Sequence, residues 1–494
     1  MKIISPVIVL LVVTFIVSFN AFADEERDKK IIESTKQFDK KEPFEDLPAG
    51  ALTHTKKHDK NAFSHASANM GFERELDFKI GNAFFRRIWV TAPSTTQSSD
   101  GLGPLFNAKS CQRCHIKDGR GHPPENHQDH NVSMVMKLAV PPHTKEQQRQ
   151  LSDGKTTTVG DPNYGHQLQD FSVAGVSAEG KFQLNYEEHV VTLADGTKVP
   201  LRRPKHSVFN QRYGKFHREI MSSLRVAPQM IGLGLLEAIS EKDILKNADE
   251  FDKDQDGISG KANFVWDHDK QQLALGRFGY KAGQPNLNQQ NQAAFKTDIG
   301  LGTPIFPNPN GDCTVKQVGC TRMPHGNSGN EQQLEVSDLV VDKVLHYTRN
   351  LAVPARRDTN HPDVLAGKKL FYQSGCIACH VPKFITPRQT AAPEQARQLI
   401  WPYTDMLLHD MGKGLSDGLA EGKASGGEWR TPPLWGIGLT PKVNGHSNYL
   451  HDGRARNLLE AILWHDGEAA KSKRYVMRMN KQERQQLIRF IESL

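Results

Sequence analysis

The pattern Cys-x-x-Cys-His occurs twice in this chain and constrains its fold more than any other feature. The copies are "CQRCH", Cys111–His115, and "CIACH", Cys376–His380. Such a pattern is compatible with a redox-active dithiol, with part of a zinc site, or with the attachment point of a covalent haem. Both copies require the same explanation, because they share the cysteine spacing and the histidine that follows.

Covalent haem is the interpretation that uses every residue of the pattern. A redox dithiol favours a βαβ context, which neither copy has, and zinc would need further ligands and leaves the histidine unexplained. In haem attachment the two thiols form thioethers with the porphyrin, and the adjoining imidazole binds the iron. We therefore predict two covalently bound c-type haems. The attachment residues are Cys111, Cys114, Cys376 and Cys379, and the iron ligands are His115 and His380.

The N-terminus predicts export. Lys2, an apolar run over Ile3–Phe19 and the small-x-small sequence Ala21–Ala23 are typical of a secretory signal peptide, residues 1–23. An uncleaved membrane anchor is the alternative, although proline and hydroxyl residues interrupt the run. No later stretch has the length of a membrane span. We therefore expect a periplasmic protein with no stable membrane span after signal removal, which agrees with haem attachment outside the cytoplasm.

An internal repeat indicates two related units. Leu-Phe precedes the first cysteine at the same distance in "LFNAKSCQRCH" and "LFYQSGCIACH". Further on, "LLEAI" occurs at Leu235–Ile239 and at Leu458–Ile462, after the segments "LRVAP" and "WRTPP". We expect a mainly α-helical fold of two tandem cytochrome c-like domains with long irregular loops. Their bounds are residues 69–350 and 355–494, after a charged and poorly ordered lead-in, residues 24–68.

The first unit contains two recognisable insertions. "EEHVVTLADGTKVPLRRP" predicts a small β-hairpin around Asp195-Gly196. "DCTVKQVGC" places Cys313 and Cys320 in a short loop, and in an oxidising compartment we expect a disulfide between them, with two free thiols as the alternative.

An acidic loop in the same unit resembles a calcium-binding loop. Aspartates at the first, third and fifth positions, a glycine at the sixth and a backbone carbonyl at the seventh suit a hard cation. The predicted ligands are Asp252, Asp254, Asp256 and Ile258. Asn263 stands where an EF-hand has its bidentate glutamate, so the affinity should be modest, and an acidic surface turn is the alternative.

Among the 21 histidines, His409, His451 and His465 are the best placed outside the motifs. His465 lies on the helix opened by the second "LLEAI", where it could bind the second iron from the far side; a structural histidine is the alternative. The corresponding residue of the first unit is Lys242, a poor iron ligand at neutral pH. This asymmetry matters because six-coordinate iron transfers electrons, whereas iron with an open face can bind peroxide.

Three methionines are possible ligands for the first iron, but core packing explains each of them better. They are Met134, Met136 and Met230. The net charge of +7 and the absence of a basic run argue against a nucleic-acid partner.

The motifs together resemble the bacterial di-haem c-type oxidoreductase family over about residues 70–494. The resemblance is carried by "GLGPLFNAKSCQRCHIKDGRG", "APQMIGLGLLEAI", "DQDGISG", "CTVKQVGC" and "RTPPLWGIGL…YLHDGRARNLLEAILWHDGEA". Members are described as peroxidases and sometimes as thiol oxidoreductases, and they are related to di-haem cytochrome c peroxidases and methylamine-utilisation di-haem enzymes. The thiol description fits poorly here, because thioethers and a disulfide would leave no free thiol.

The resemblance implies a reaction and residue roles. In the related peroxidases electrons enter at the C-terminal haem, hydrogen peroxide is reduced at the N-terminal haem, a glutamate assists O–O cleavage and Ca²⁺ lies between the domains. By position, His465 corresponds to the distal ligand of the electron-transfer haem, which is commonly methionine there. Glu237 corresponds to the acid–base carboxylate, with a structural role as the alternative. Their distal histidine has no clear counterpart among His122, His127 and His130.

We therefore expect an enzyme that is a di-haem peroxidase-type oxidoreductase. Its partners would be a small electron-donor protein, a cytochrome c or a cupredoxin, and a small-molecule oxidant. Two alternatives remain open at this point. One is a non-catalytic electron-transfer cytochrome with two six-coordinate haems, and the other is an oxidase of an organic or protein substrate.

Overall fold

The structure, a computed structural model, describes residues 26–125, 129, 132–326 and 334–494; the predicted signal peptide lies outside these ranges. The α-helices are α1 Phe72–Arg86, α2 Cys111–Cys114, α3 Lys145–Ser152, α4 Leu233–Ala238, α5 Glu241–Leu245, α6 Leu287–Ala294, α7 Val318–Thr321, α8 Asp338–Arg349, α9 Pro362–Gln373, α10 Thr440–Asn444, α11 Leu458–Trp464, α12 Ala470–Arg478 and α13 Lys481–Ser493. Within the described ranges, no helix has the length and apolar character needed to cross a membrane.

The strands form two-stranded antiparallel sheets, β1 with β3, β2 with β6, β4 with β5, β7 with β8, β9 with β10 and β11 with β12. They are β1 Leu105–Phe106, β2 Met134–Ala139, β3 Phe171–Ser172, β4 Lys181–Thr192, β5 Lys198–Phe209, β6 Met221–Val226, β7 Phe264–Asp267, β8 Gln272–Leu275, β9 Phe384–Ile385, β10 Leu399–Ile400, β11 Leu408–Asp410 and β12 Glu428–Arg430.

The fold is mixed α and β, so the prediction of a mainly α-helical protein was wrong. Helices account for 30% of the chain and strands for 17%, spread over many small sheets. The difference has a physical reason in strand pairs such as β2–β6, in which Met136 pairs with Leu224. Their partners are far apart along the chain, and neither strand is signalled by a neighbouring turn.

The predicted β-hairpin is confirmed and is longer than expected. β4 and β5 pair from Lys181↔Phe209 to Thr192↔Lys198. Gly196 closes the turn with φ +82°, a conformation that favours glycine.

The tip of this hairpin packs on the C-terminal unit. Ala194 N donates to Met477 O at 3.0 Å, and Arg484 Nη2 lies 2.6 Å from Asp195 Oδ2. Leu201, 1% exposed, joins the C-terminal hydrophobic core. The tip of the hairpin is thus part of the hydrophobic core that is built mainly from residues 364–494.

Each unit contains a pair of long helices that approach closely at a glycine. In the first, α1 packs on α8, and a Cβ on Gly81 would lie 2.1 Å from Lys343 O. In the second, α9 packs on α13, and a Cβ on Gly367 would lie 1.9 Å from Gln486 O. Any larger residue at either glycine would force the helices apart.

The sequence repeat corresponds only in part to repeated structure. Both copies of "LLEAI" are helical, in α4 and in α11. The two Leu-Phe pairs differ, because Leu105-Phe106 forms β1 whereas Leu370-Phe371 lies in α9.

Residues 45–68 belong to the segment expected to be a poorly ordered lead-in, yet they are packed. Leu52 and Phe63 are at most 1% exposed and join a hydrophobic cluster with Trp435. Glu45 is buried and pairs with Arg356 and with Lys368. The charge of this segment predicted disorder, but part of it is neutralised by buried partners.

Candidate di-haem site

Both CxxCH motifs line one cavity of about 560 Å³. Its wall contains all six residues predicted to hold the haems: Cys111, Cys114, His115, Cys376, Cys379 and His380. His409, His451 and His465, the histidines singled out from the sequence, also line it. The two motifs, more than 250 residues apart in sequence, therefore face a common interior space.

His115 follows the single turn of α2 and is oriented by a distant backbone carbonyl. Its Nδ1 donates to Pro228 O at 2.8 Å, so Nε2 is left for a metal. Burial lowers the pKa of His115 to about 4, against the opposing effect of this hydrogen bond. The imidazole is therefore neutral at pH 7, the form that binds iron.

His380 has the same chemistry in the second unit. Gly375, with φ +81°, starts the turn that contains the cysteines, and His380 Nδ1 donates to Tyr403 O at 2.8 Å. Burial lowers the pKa of His380 to about 4. The two motifs thus present equivalent neutral imidazoles, although their carbonyl partners come from unrelated segments.

His465 lies at the end of α11, close enough to His380 to contribute to the lowering of its pKa. Its Nδ1 donates to Ala461 O at 2.7 Å, and burial lowers its own pKa. A second neutral imidazole with an available Nε2 therefore accompanies His380 in the cavity.

Among the described residues, none of the donors that the sequence suggested for the first haem is a cavity-lining imidazole like His465. Met134 and Met136 are packed in the core under β2 and β6, and His122 is not among the cavity-lining residues. Met230 does line the cavity, and its side chain is packed in a hydrophobic cluster with Phe85 and Val344. His127 and His130 lie outside the described residues.

The donor set fits haem better than the other two interpretations of the motif. A redox dithiol needs an accessible thiolate, but burial raises the pKa of Cys111 to about 12 and that of Cys376 to about 11. Cys379, Asp405 and His409 could together face a zinc ion, but this group uses one cysteine of the motif and leaves Cys376 and His380 unexplained. Both ring nitrogens of His409 are also engaged, each 2.7 Å from a carboxylate oxygen, one of Asp405 and one of Glu468.

Glu237, predicted as an acid–base residue, is held in structural contacts. Its Oε1 accepts a hydrogen bond from Leu287 N at 2.8 Å, at the start of α6, and its Oε2 lies 2.6 Å from Arg349 Nε. Glu237 is not among the described residues that line the cavity. Its position therefore matches the structural alternative, since a carboxylate at a helix N-terminus is favourable there.

A different carboxyl group lies in the cavity wall near the first motif. Asp298 accepts a hydrogen bond from Gln167 Nε2 at 2.8 Å, and burial raises its pKa. It is close enough to Cys111 and Cys114 to raise the pKa of both thiols. Sequence reasoning missed Asp298, because nothing in its local pattern distinguishes it.

An aromatic pair also lines the cavity and was not predicted as a unit. The rings of Trp429 and His451 stack with centroids 3.7 Å apart and planes inclined by 13°. The ammonium of Lys281, fully buried, lies 4.1 Å from the centroid of Trp429, and His451 O accepts a hydrogen bond from Val226 N in the first unit.

The repeat contained a further signal that sequence reasoning did not use. The arginines of "LRVAP" and "WRTPP", Arg225 and Arg430, both line the cavity. Arg225 pairs with Glu421, with Nη1 and Oε1 2.5 Å apart. Burial lowers the pKa of Arg430 to about 10, so it stays charged at neutral pH.

The acidic loop and the cysteine loop lie in the same unit. Carboxylate oxygens of Asp252, Asp254 and Asp256 lie within 4.8 Å of one another. Asn263 is buried: its Nδ2 donates to Lys281 O and to the backbone carbonyl of Glu421, and its Oδ1 accepts a hydrogen bond from Lys423 N, so its side chain is engaged away from that loop. Cys313 and Cys320 form a disulfide with Cα atoms 6.3 Å apart.

A family model described as "Di-haem oxidoreductase, putative peroxidase" matches residues 48–494, nearly the whole chain. The chain belongs to this family. Membership of the family implies that this di-haem oxidoreductase contains two haems and carries out oxidoreductase chemistry. A search of curated proteins gives no match.

Proposed function

We propose that this di-haem oxidoreductase is an exported peroxidase with two covalently attached haems. Electrons from a small donor protein, a cytochrome c or a cupredoxin, would enter at the C-terminal haem and reduce hydrogen peroxide at the N-terminal haem. The observation that carries the proposal is the asymmetry of the cavity. His465 accompanies His380, whereas Met134 and Met136, suggested for the side of His115, are packed in the core away from the cavity. Met230 lines the cavity but is packed in a hydrophobic cluster.

The haems, when bound, would supply one-electron storage at one iron and a coordination position for peroxide at the other. The chain's own residues would do the rest. His115 and His380 would bind iron through Nε2, while the carbonyls of Pro228 and Tyr403 hold the Nδ1 protons. One peroxide, two electrons and two protons give two waters, and Asp298 is our candidate for holding a proton in the cavity.

The proposal is tested by peroxide-dependent oxidation of a reduced cytochrome c or cupredoxin by the purified protein with both haems in place. Turnover should be measured before and after one haem has been reduced chemically. Absence of turnover in both states would contradict the proposal. If, in addition, neither haem bound cyanide or carbon monoxide, the electron-carrier alternative would be favoured instead.

His465→Ala should convert one of the two haems from low spin to high spin, because the second iron loses its distal imidazole. Visible and electron paramagnetic resonance spectra measure this change directly. His189→Ala is the matched control, since the ring of His189 also lies near Trp464, 5.1 Å between centroids, but does not line the cavity. An unchanged spectrum of the His465 variant would reject the ligand assignment.

Periplasmic location and calcium binding are part of the same proposal. Export is supported by the signal-peptide pattern of residues 1–23. Calcium at Asp252, Asp254, Asp256 and the carbonyl of Ile258 is supported by the convergence of the three carboxylates. Because Asn263 stands in place of the bidentate glutamate and its side chain is hydrogen-bonded outside the loop, the affinity for Ca²⁺ should be modest.

A further inference from the structure

A separate group of metal-binding side chains lies outside the cavity wall. His143, His217 and Glu219 each offer one ligand atom, and these three atoms lie within 4.8 Å of one another. The two imidazole rings have centroids 4.5 Å apart and planes inclined by 46°. His143 and Glu219 are exposed and His217 is half-buried, so an ion can reach the group from solvent.

The register of a small sheet brings these residues together. The antiparallel pair of β2 and β6 ends at Ala139↔Met221. His143 lies as many residues after Ala139 as His217 lies before Met221. The two histidines therefore lie opposite each other just beyond the end of the paired strands. Glu219 lies in the turn that follows His217.

Both histidines are held by backbone contacts. His143 N donates to Gln147 Oε1 at 2.8 Å, within the capping box that begins α3. His217 N donates to Asp161 Oδ2 at 2.8 Å, and Asp161 is only 1% exposed. Little chain ordering would be needed to form a site here, which favours binding.

Competing contacts within the described chain are weak. Among the described residues, no hydrogen-bond partner lies at either ring nitrogen of His143. The same holds for Nε2 of His217. Glu219 N donates to His217 Nδ1 at 3.2 Å, and Arg218 Nε lies 3.7 Å from Glu219 Oε2. A metal on Nε2 of His217 moves the ring proton to Nδ1 and gives up the 3.2 Å contact, which lowers the affinity for the ion.

We propose that His143, His217 and Glu219 bind one divalent transition-metal ion, Zn²⁺ or Cu²⁺, with water in the open positions. Two imidazoles and one carboxylate suit these ions, whereas Ca²⁺ and Mg²⁺ prefer oxygen ligands alone. Cu²⁺ should bind more tightly than Zn²⁺. The ion would fasten β2 to β6, two strands that contribute Lys137 and Arg225 to the cavity wall.

The experiment uses the untagged, secreted protein with both haems, dialysed against ZnCl₂ with excess CaCl₂ to saturate the acidic loop. The wild type should retain one more Zn²⁺ per chain than the His143→Ala/His217→Ala double variant. His189→Ala, which removes an exposed histidine outside the group, should retain as much as the wild type. With Cu²⁺, electron paramagnetic resonance should show hyperfine coupling to two imidazole nitrogens, absent in the double variant.

A second measurement separates binding from folding. At about 100 times its dissociation constant, the metal should shift the unfolding equilibrium of the wild type about 100-fold and leave that of the double variant unchanged. An unaltered haem absorption spectrum shows that the variant is folded. If it is not, the exposed Glu219→Gln variant should bind Zn²⁺ at least about tenfold more weakly. Equal Zn²⁺ uptake by wild type and variants would overturn the proposal.

Discussion

At the scale of single residues, the site depends on which atoms are already engaged. The Nδ1 protons of His115 and His380 are held by backbone carbonyls, so each ring keeps one nitrogen for iron. His409 lines the same cavity, but both of its nitrogens face carboxylates. Of these three histidines, His115 and His380 are therefore candidate iron ligands, whereas His409 belongs to an ion-pair network.

His409 should make unfolding stability depend on pH. Burial alone would lower its pKa, but Asp405 and Glu468 outweigh burial and raise the pKa well above 6.5. The resulting stabilisation is fully present below about pH 6.5 and is lost as the pH rises through the folded-state pKa. Raising the pH from 6 to 9 should therefore lower the free energy of unfolding, by up to about 1.4 kcal/mol per pH unit.

Urea unfolding at several pH values, followed by circular dichroism, measures this dependence. His409→Gln should be less stable than the wild type at pH 6 and should lack this part of the slope. His189→Gln, at an exposed position, should keep the wild-type slope. A His409 variant with an unchanged slope would show that the ion pair does not contribute as described.

At the scale of elements, local signals were sufficient where the structure itself is local. The Asp195-Gly196 turn predicted the β-hairpin, and the helix predicted to begin at the second "LLEAI" corresponds to α11. The pairing of β2 with β6 and the carbonyl of Pro228, 113 residues from His115, depend on contacts across long stretches of chain. No local pattern specifies such contacts, and the overestimate of helix has the same origin.

The candidate site divides in the same way. The CxxCH spacing and the "LLEAI" helix with His465 are short patterns, and the cavity contains both. Glu237 was assigned by its position in a related family, and contacts with Leu287 and Arg349 occupy it instead. Asp298 and Trp429 were missed because their roles arise only when distant segments converge.

At the scale of the whole molecule, buried charges connect the N-terminal segment to the C-terminal unit. Glu45, 1% exposed, pairs with Arg356 and lies 2.8 Å from Lys368 Nζ. Burial alone would raise the pKa of Glu45, but these two cations lower it. The segment before the first helix pair is therefore held by charge as well as by its apolar residues.

Glu45→Gln should lower the free energy of unfolding by about 3 kcal/mol, because two buried cations lose a charged partner. Asp46→Asn is the matched control on the neighbouring residue, whose pair with Lys41 is exposed, and it should cost less than about 1 kcal/mol. Urea unfolding of both variants at pH 7 measures the difference. Equal effects would contradict the importance assigned to the buried group.

The shared cavity has a consequence for how the protein is made. Its walls come from segments between Phe85 and Ile491, so the space closes only after nearly the whole chain has been synthesised and folded. Under the covalent attachment proposed above, the maturation enzymes must reach both cysteine pairs while the polypeptide is still open. The newly exported chain would then remain unfolded until its second porphyrin is attached. Haem attachment would therefore be the rate-limiting step of folding.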